Sequence, residues 1–145
     1  GEVAGPEHVR EVLDFGVRRV AHGVTAGEDA ELLDALRSRD ITLDMCPTSN
    51  VQANIVGSLE EHPLAAFHRA GVSVTLSTDD RTVTGTTLTE EMARVATALD
   101  LSRDELAAIA VNAFRRGFAP RALLEPIAAE AARAWDAWRA GRDIS

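Results

Sequence analysis

Three short runs rich in apolar and β-branched residues, at 18–22, 41–45 and 72–77, are separated by stretches with helical periodicity and helix stops. Strands joined through helices pair in parallel, because a crossover has room for a helix and a hairpin does not. That alternation predicts an α/β chain with a parallel sheet, either doubly wound or part of a barrel. In both architectures function gathers at the carboxyl ends of the strands. Here those ends carry His22, then Cys46-Pro47-Thr48-Ser49-Asn50, then Asp79 and Asp80. All three strands finish in residue types that do chemistry.

The helices announce themselves by their ends. Gly5-Pro6 puts proline at the first position of a helix that runs to Gly16, with Val9, Val12, Leu13 and Phe15 as its apolar face. Residues 27–38 are expected to be helical, with Leu32, Leu33 and Leu36 at core spacing. A long loop is expected from Cys46-Pro47 to about His62, then a helix over 63–70 closed by Gly71, then a loop from the third strand through Gly85. Thr87-Leu-Thr-Glu90 and Ser102-Arg-Asp-Glu105 are capping boxes that open two further helices. The Ala-rich stretch 120–139, with Trp135 and Trp138, reads as a terminal helix over an outer face. Residues 1–145 form a single segment with no internal boundary.

Charge narrows the partners. Fifteen basic and twenty-three acidic residues leave a net charge of −8, and every base is Arg. Binders of a phosphate backbone need clustered positive charge, so no nucleic-acid partner is expected. No run approaches the length of a membrane span, and no membrane partner is expected. One cysteine excludes an internal disulfide and suits a reducing compartment, so a cytoplasmic location is expected. The first residue is not Met, and the chain is expected to be part of a longer polypeptide.

Taken singly, the polar residues are ambiguous. His22 reads as a hydrogen-bonded turn residue as readily as a catalytic one. Cys46 before proline reads as a small buried hydrophobe, and Ser49 and Asn50 read as ordinary turn formers. His8, His62 and His68 read as solvated or locally bonded. Asp79 and Asp80 carry more, because alternation along a strand would aim one at a metal and its neighbour at a substrate. No His-x-His, His-x-x-x-His or Cys-x-x-Cys spacing is present, so this chain supplies about one ligand of any metal it helps to hold.

Gly1-Glu2-Val-Ala-Gly-Pro-Glu7, Arg18-Arg-Val-Ala-His22-Gly23, Leu43-Asp-Met-Cys-Pro-Thr-Ser-Asn50, His62-Pro63 and Ser77-Thr-Asp-Asp80 occur in that order. Together they resemble the carboxyl-terminal portion of the zinc-dependent adenosine deaminase family, with the match fading over the last thirty or so residues. The resemblance implies about three strands from the C-terminal part of a TIM-type (β/α)8 barrel, with the rest of the barrel required as a partner. It implies one zinc ion held by three His and one Asp, the Asp falling on Asp79 and the His ligands expected upstream. It implies that His22 orients a hydroxide, that Glu2 protonates purine N1, and that Asp80 and Gly1 bind the substrate. The implied reaction is hydrolytic deamination of adenosine or deoxyadenosine to an inosine-type product. Adenine and aminodeoxyfutalosine are alternative substrates. Arg81 stands where many members have proline and resembles a bacterial subgroup. Outside the family, the alternatives are a non-catalytic α/β fragment and an acidic pocket using Asp79 and Asp80 for magnesium.

Overall fold

The structure is a computed structural model that describes residues 5–141. In chain order its elements are α1 (Pro6–Leu13), β1 (Arg19–Ala21), a 3-10 turn (Val24–Glu28), α2 (Ala30–Ser38), β2 (Thr42–Met45), α3 (Pro47–Gln52) and α4 (Leu64–Arg69). There follow β3 (Ser73–Leu76), α5 (Arg81–Thr84), α6 (Leu88–Ala98), α7 (Arg103–Arg115) and α8 (Arg121–Arg139). The strands form one parallel sheet in the order β1-β2-β3. Ala21 pairs with Asp44 and Asp44 with Thr75, so the three carboxyl ends finish side by side.

The two faces of the sheet differ sharply. Val20, Leu43, Met45, Val74 and Leu76 are buried and join one core with Val9 and Leu13 of α1, Leu32 and Leu36 of α2, and Leu64 and Phe67 of α4. Val95 of α6 and Ile109 of α7 extend the same core. Each such side chain contributes about 2 kcal/mol by leaving water. The alternate positions are polar. Asp44 accepts from the Arg19 guanidinium and from the Thr75 hydroxyl, and Thr42 Oγ1 lies 2.9 Å from Ser73 Oγ. A sheet with helices on one face and a polar network on the other is what a slice of a barrel wall looks like.

Four expectations need correction. The first helix ends at Leu13 and not at Gly16, so Phe15 lies beyond it and is exposed instead of joining its apolar face. Residues 27–38 are not one helix, because the Asp29 carboxylate accepts from the Leu32 amide at 3.1 Å and starts α2 there. An Asp cap outcompetes the glycine two residues earlier, and the preceding turn is 3-10. The loop expected from Cys46 to His62 contains α3, opened by Pro47 at its first position. The loop expected before Gly85 contains α5, capped by Asp80, whose Oδ1 accepts from Thr82 and Val83 amides. Both capping boxes are formed as expected.

The edges of the sheet bear on how the chain behaves alone. Along β3 the amide of Ser77 bonds the Met45 carbonyl, so by ladder alternation the Val74 carbonyl faces the outer edge. Asn112 of α7 donates to it at 3.3 Å, which covers one edge group. Phe15 and Phe118 are 84% and 85% exposed, and Val83 is exposed too. Open strand edges beside exposed aromatics favour association. Expressed as this 145-residue chain alone, the protein should self-associate or aggregate. Sedimentation as a stable monomer with a sharp thermal transition would contradict that.

Candidate active site

Each strand end delivers one group to a common rim. His22 follows β1, Cys46 follows β2, and Asp79 lies three residues beyond β3. His22 has φ +62° and Asp79 φ +57°, both in the left-handed region that costs a side-chain-bearing residue of order 1 kcal/mol or more. His22 is held there by its amide, which donates to the Asp44 carbonyl at 2.8 Å. Gly23 follows with φ +74°, and a Cβ at that position would lie 2.9 Å from Leu43 Cδ2. Only glycine lets the chain turn so closely over the end of β2.

The left-handed turns bring the side chains together. His22 Nε2 lies 3.8 Å from Asp79 Oδ2. Ligand atoms of His22, Cys46 and Asp79 all fall within 4.8 Å of one another. Imidazole nitrogen, thiol sulfur and carboxylate oxygen form a donor set that suits a borderline divalent ion such as zinc. Cys46 is buried, as expected of a small hydrophobe, and its Sγ also sits 3.6 Å from the Asp44 carbonyl. Strand alternation does not separate Asp79 from Asp80, because β3 ends at Leu76. The left-handed turn at Asp79 does so instead, leaving Asp80 exposed and capping α5. Gly1 and Glu2 lie outside the described residues.

α3 organises this rim, although its sequence carries little sign of a helix. Ser49 Oγ donates to Asp79 Oδ2 at 2.7 Å. Asn50 is fully buried, with Nδ2 3.2 Å from His22 Nδ1 and Oδ1 3.2 Å from His62 Nε2. The Leu64 amide donates to His62 Nδ1 at 3.3 Å. The helix is itself tied down by Glu91 of α6, whose buried carboxylate accepts from the Thr48 amide at 2.8 Å and from the Thr48 hydroxyl. Ser49 and Asn50 are therefore not turn formers. His62 is locally bonded as expected but is only 3% exposed, unlike His8, which is exposed beside Glu7. The clue in the sequence was the recurrence of hydrogen-bonding types after β2 without the glycine that a true loop uses there.

Burial pushes the His62 imidazole from its ordinary 6.5 down to about 4, and the nearby His22 adds a smaller push the same way. The unfolded chain takes up a proton at His62 as pH falls through 6.5, whereas the folded chain resists until about 4. Stability is complete above the first value and falls between the two, by about 3 kcal/mol in all. Denaturant unfolding of the folded protein across that range should show this loss, and His62→Gln should remove most of it. An equal pH slope in the variant would show that His62 is not its source.

The adenosine deaminase family model matches residues 1–131. An aminodeoxyfutalosine deaminase of Streptomyces avermitilis is 41% identical over 141 residues, covering 97% of this chain and 39% of that protein. An adenosine deaminase of Enterococcus faecalis is 38% identical over 118 residues, covering 81% of this chain and 35% of that protein. The crystal structure of an adenine deaminase from Arthrobacter aurescens superposes with a TM-score of 0.88 at 28% identity, over 94% of this chain and 42% of that one. The chain thus spans less than half the length of each of these three. Its three strands and covering helices are a partial TIM-type barrel, as the sequence led us to expect.

Proposed function

The chain belongs to the adenosine deaminase family, and from that premise we propose that it supplies one side of the active site of a hydrolytic 6-aminopurine deaminase. The observation that carries the reading is the approach of His22 Nε2 to within 3.8 Å of Asp79 Oδ2 at neighbouring ends of a parallel sheet. Two left-handed residues held at one rim by side-chain hydrogen bonds support a site whose geometry matters.

The reaction replaces the 6-amino group by oxygen, consuming water and releasing ammonia. Zinc, when bound, lowers the pKa of water to about 7 and so makes hydroxide accessible near neutral pH. In our reading Asp79 is this chain's ligand to that ion, with Ser49 fixing the direction of its carboxylate. His22 faces the same space and orients the attacking oxygen by a hydrogen bond. Glu2 protonates purine N1, which makes C6 electrophilic, and such a donor needs a raised pKa. Asp80 addresses purine N7 through the carboxyl oxygen that the Thr82 amide does not engage. N7 is an acceptor, so that contact needs a shared proton. Gly1 belongs to the substrate-binding residues in the same reading. The remaining His ligands and the rest of the barrel complete the site.

Adenosine or deoxyadenosine is the substrate we favour. Aminodeoxyfutalosine is a second reading, supported by 41% identity over 97% of the chain to a deaminase of that name. Adenine is a third 6-aminopurine that belongs in the same assay. A non-catalytic barrel fragment would bind no stoichiometric zinc in the full-length protein.

Ultraviolet absorbance of each of the three substrates, followed with and without a zinc chelator, tests the reading on the full-length protein. Chelator-sensitive loss with one of them is expected, and no loss with any would overturn it. Asp79→Ala should remove zinc and turnover together. Glu2→Gln should keep zinc and lower kcat by about two to four orders of magnitude. Nearly full activity in Glu2→Gln would remove Glu2 from its assigned role.

A further inference from the structure

The buried chain Leu64–His62–Asn50–His22 has a direction. It begins at a backbone amide, which is a donor and nothing else. The Leu64 N–H points at His62 Nδ1, so that nitrogen is an acceptor. His62 is buried and stays neutral down to about 4, so it carries one ring proton, and that proton must sit on Nε2. His62 Nε2–H then donates to Asn50, which identifies the atom it meets as the amide oxygen. The Asn50 nitrogen is consequently the atom facing His22 Nδ1, and it donates there.

The opposite amide orientation fails on the same counting. With Asn50 turned over, its nitrogen would donate to His62 Nε2 while Leu64 donates to Nδ1. Both ring nitrogens of a neutral imidazole would then be acceptors, which is impossible. One backbone N–H therefore settles a choice that amide and imidazole geometry alone leave open.

We propose that His62 and Asn50 are positioning residues that set the tautomer of His22, leaving its Nδ1 as an acceptor and its proton on Nε2, the nitrogen that faces Asp79. The inference deepens the proposed function and rests on it for the role of His22. Two consequences follow for the chemistry. With its proton on Nε2, His22 acts toward the attacking oxygen as a hydrogen-bond donor and does not take a proton from it through that atom. Nor can Nε2 ligate a metal, since ligation needs the lone pair that this tautomer lacks. Of the three donors near the rim, His22 thus serves as a hydrogen-bonding neighbour of the metal position and not as a ligand.

The network also explains why His62 is sealed from solvent. A protonated His62 would put an N–H against the Leu64 N–H, and exposure would make that protonation easy near neutral pH. Burial keeps the relay in its one-proton form.

The test reads protons directly. In the zinc-loaded full-length protein labelled with 15N-histidine, long-range 1H–15N correlation separates protonated from unprotonated ring nitrogens. Expected are an unprotonated Nδ1 and a protonated Nε2 for both His62 and His22. A proton on His22 Nδ1, or a metal-shifted His22 Nε2, would overturn the proposal. This spectrum needs no variant, so it decides the matter even where substitutions unfold the protein.

Variants extend the test to function. Asn50→Asp presents an acceptor to both rings, so it should move the His22 proton to Nδ1 and lower kcat on the order of a hundredfold with little change in KM. His62→Gln keeps an N–H donor for Asn50 and should retain the His22 pattern with kcat within a few-fold of wild type. An Asn50→Asp protein that turns over normally, with its His22 pattern unchanged, would sink the idea. The spectrum does not depend on turnover. A protein with the expected tautomer but no deaminase activity upholds the relay and removes the functional reading alone.

Discussion

The rim depends on a carboxylate that never reaches it. Glu91 is fully buried in α6 and grips the Thr48 amide and hydroxyl at the start of α3. A buried carboxylate is tolerated only when hydrogen bonds replace its water, and the first turn of a helix offers amide groups with no partner of their own. The contact satisfies both at once. Its effect is geometric, because α3 is six residues long and has no propensity to stand alone. Anchored at Thr48, it holds Ser49 against Asp79 and Asn50 between two histidines. Neutralising Glu91 or shortening it would loosen every one of those contacts together, although none involves Glu91 directly.

A second constraint is the parallel register. Ala21, Asp44 and Thr75 lie abreast, so residues that follow the three strands emerge at one level. On the same face, Asp44 collects Arg19 and Thr75 into a polar layer. Arg19 also donates to the Arg116 carbonyl at the end of α7, linking the sheet to the terminal helices. A polar layer inside a wall whose outer face is apolar makes sense when further strands close over it. That is the physical content of the partial-barrel assignment, and it explains why the apolar core lies wholly on the helical side.

What could be read from the sequence divides along this line. The strands, most helices and both capping boxes were legible, because periodicity and cap chemistry are local. The convergence of His22 and Asp79 was legible too, since parallel strands gather their carboxyl ends. The organising layer was not. α3 is spelled Pro-Thr-Ser-Asn-Val-Gln, whose middle residues favour turns in isolation. It is helical because Glu91, more than forty residues away, caps it. Asn50 and His62 were likewise invisible as a pair, because their meeting requires α3 and the segment before α4 to fold against each other. The absence of glycine from Cys46 to Ile55 was the available hint.

The two adjacent acids show how backbone conformation distributes labour. Asp79 at φ +57° turns its carboxylate back toward His22 and Ser49, while Asp80 at φ −72° opens α5 and caps it. Ordinary alternation would have placed the pair on opposite sides of a strand. Instead the left-handed residue reverses the chain, and the following helix fixes its neighbour facing outward. Aspartate and histidine tolerate that conformation better than most side chains, and His22 is further secured by its amide's bond to the Asp44 carbonyl. His22 is held by Asp44 and Asn50, and Asp79 by Ser49 and by the Ser77 hydroxyl that accepts from its amide. Relaxing either turn would aim its side chain away from the other, so the 3.8 Å approach depends on both being strained at once.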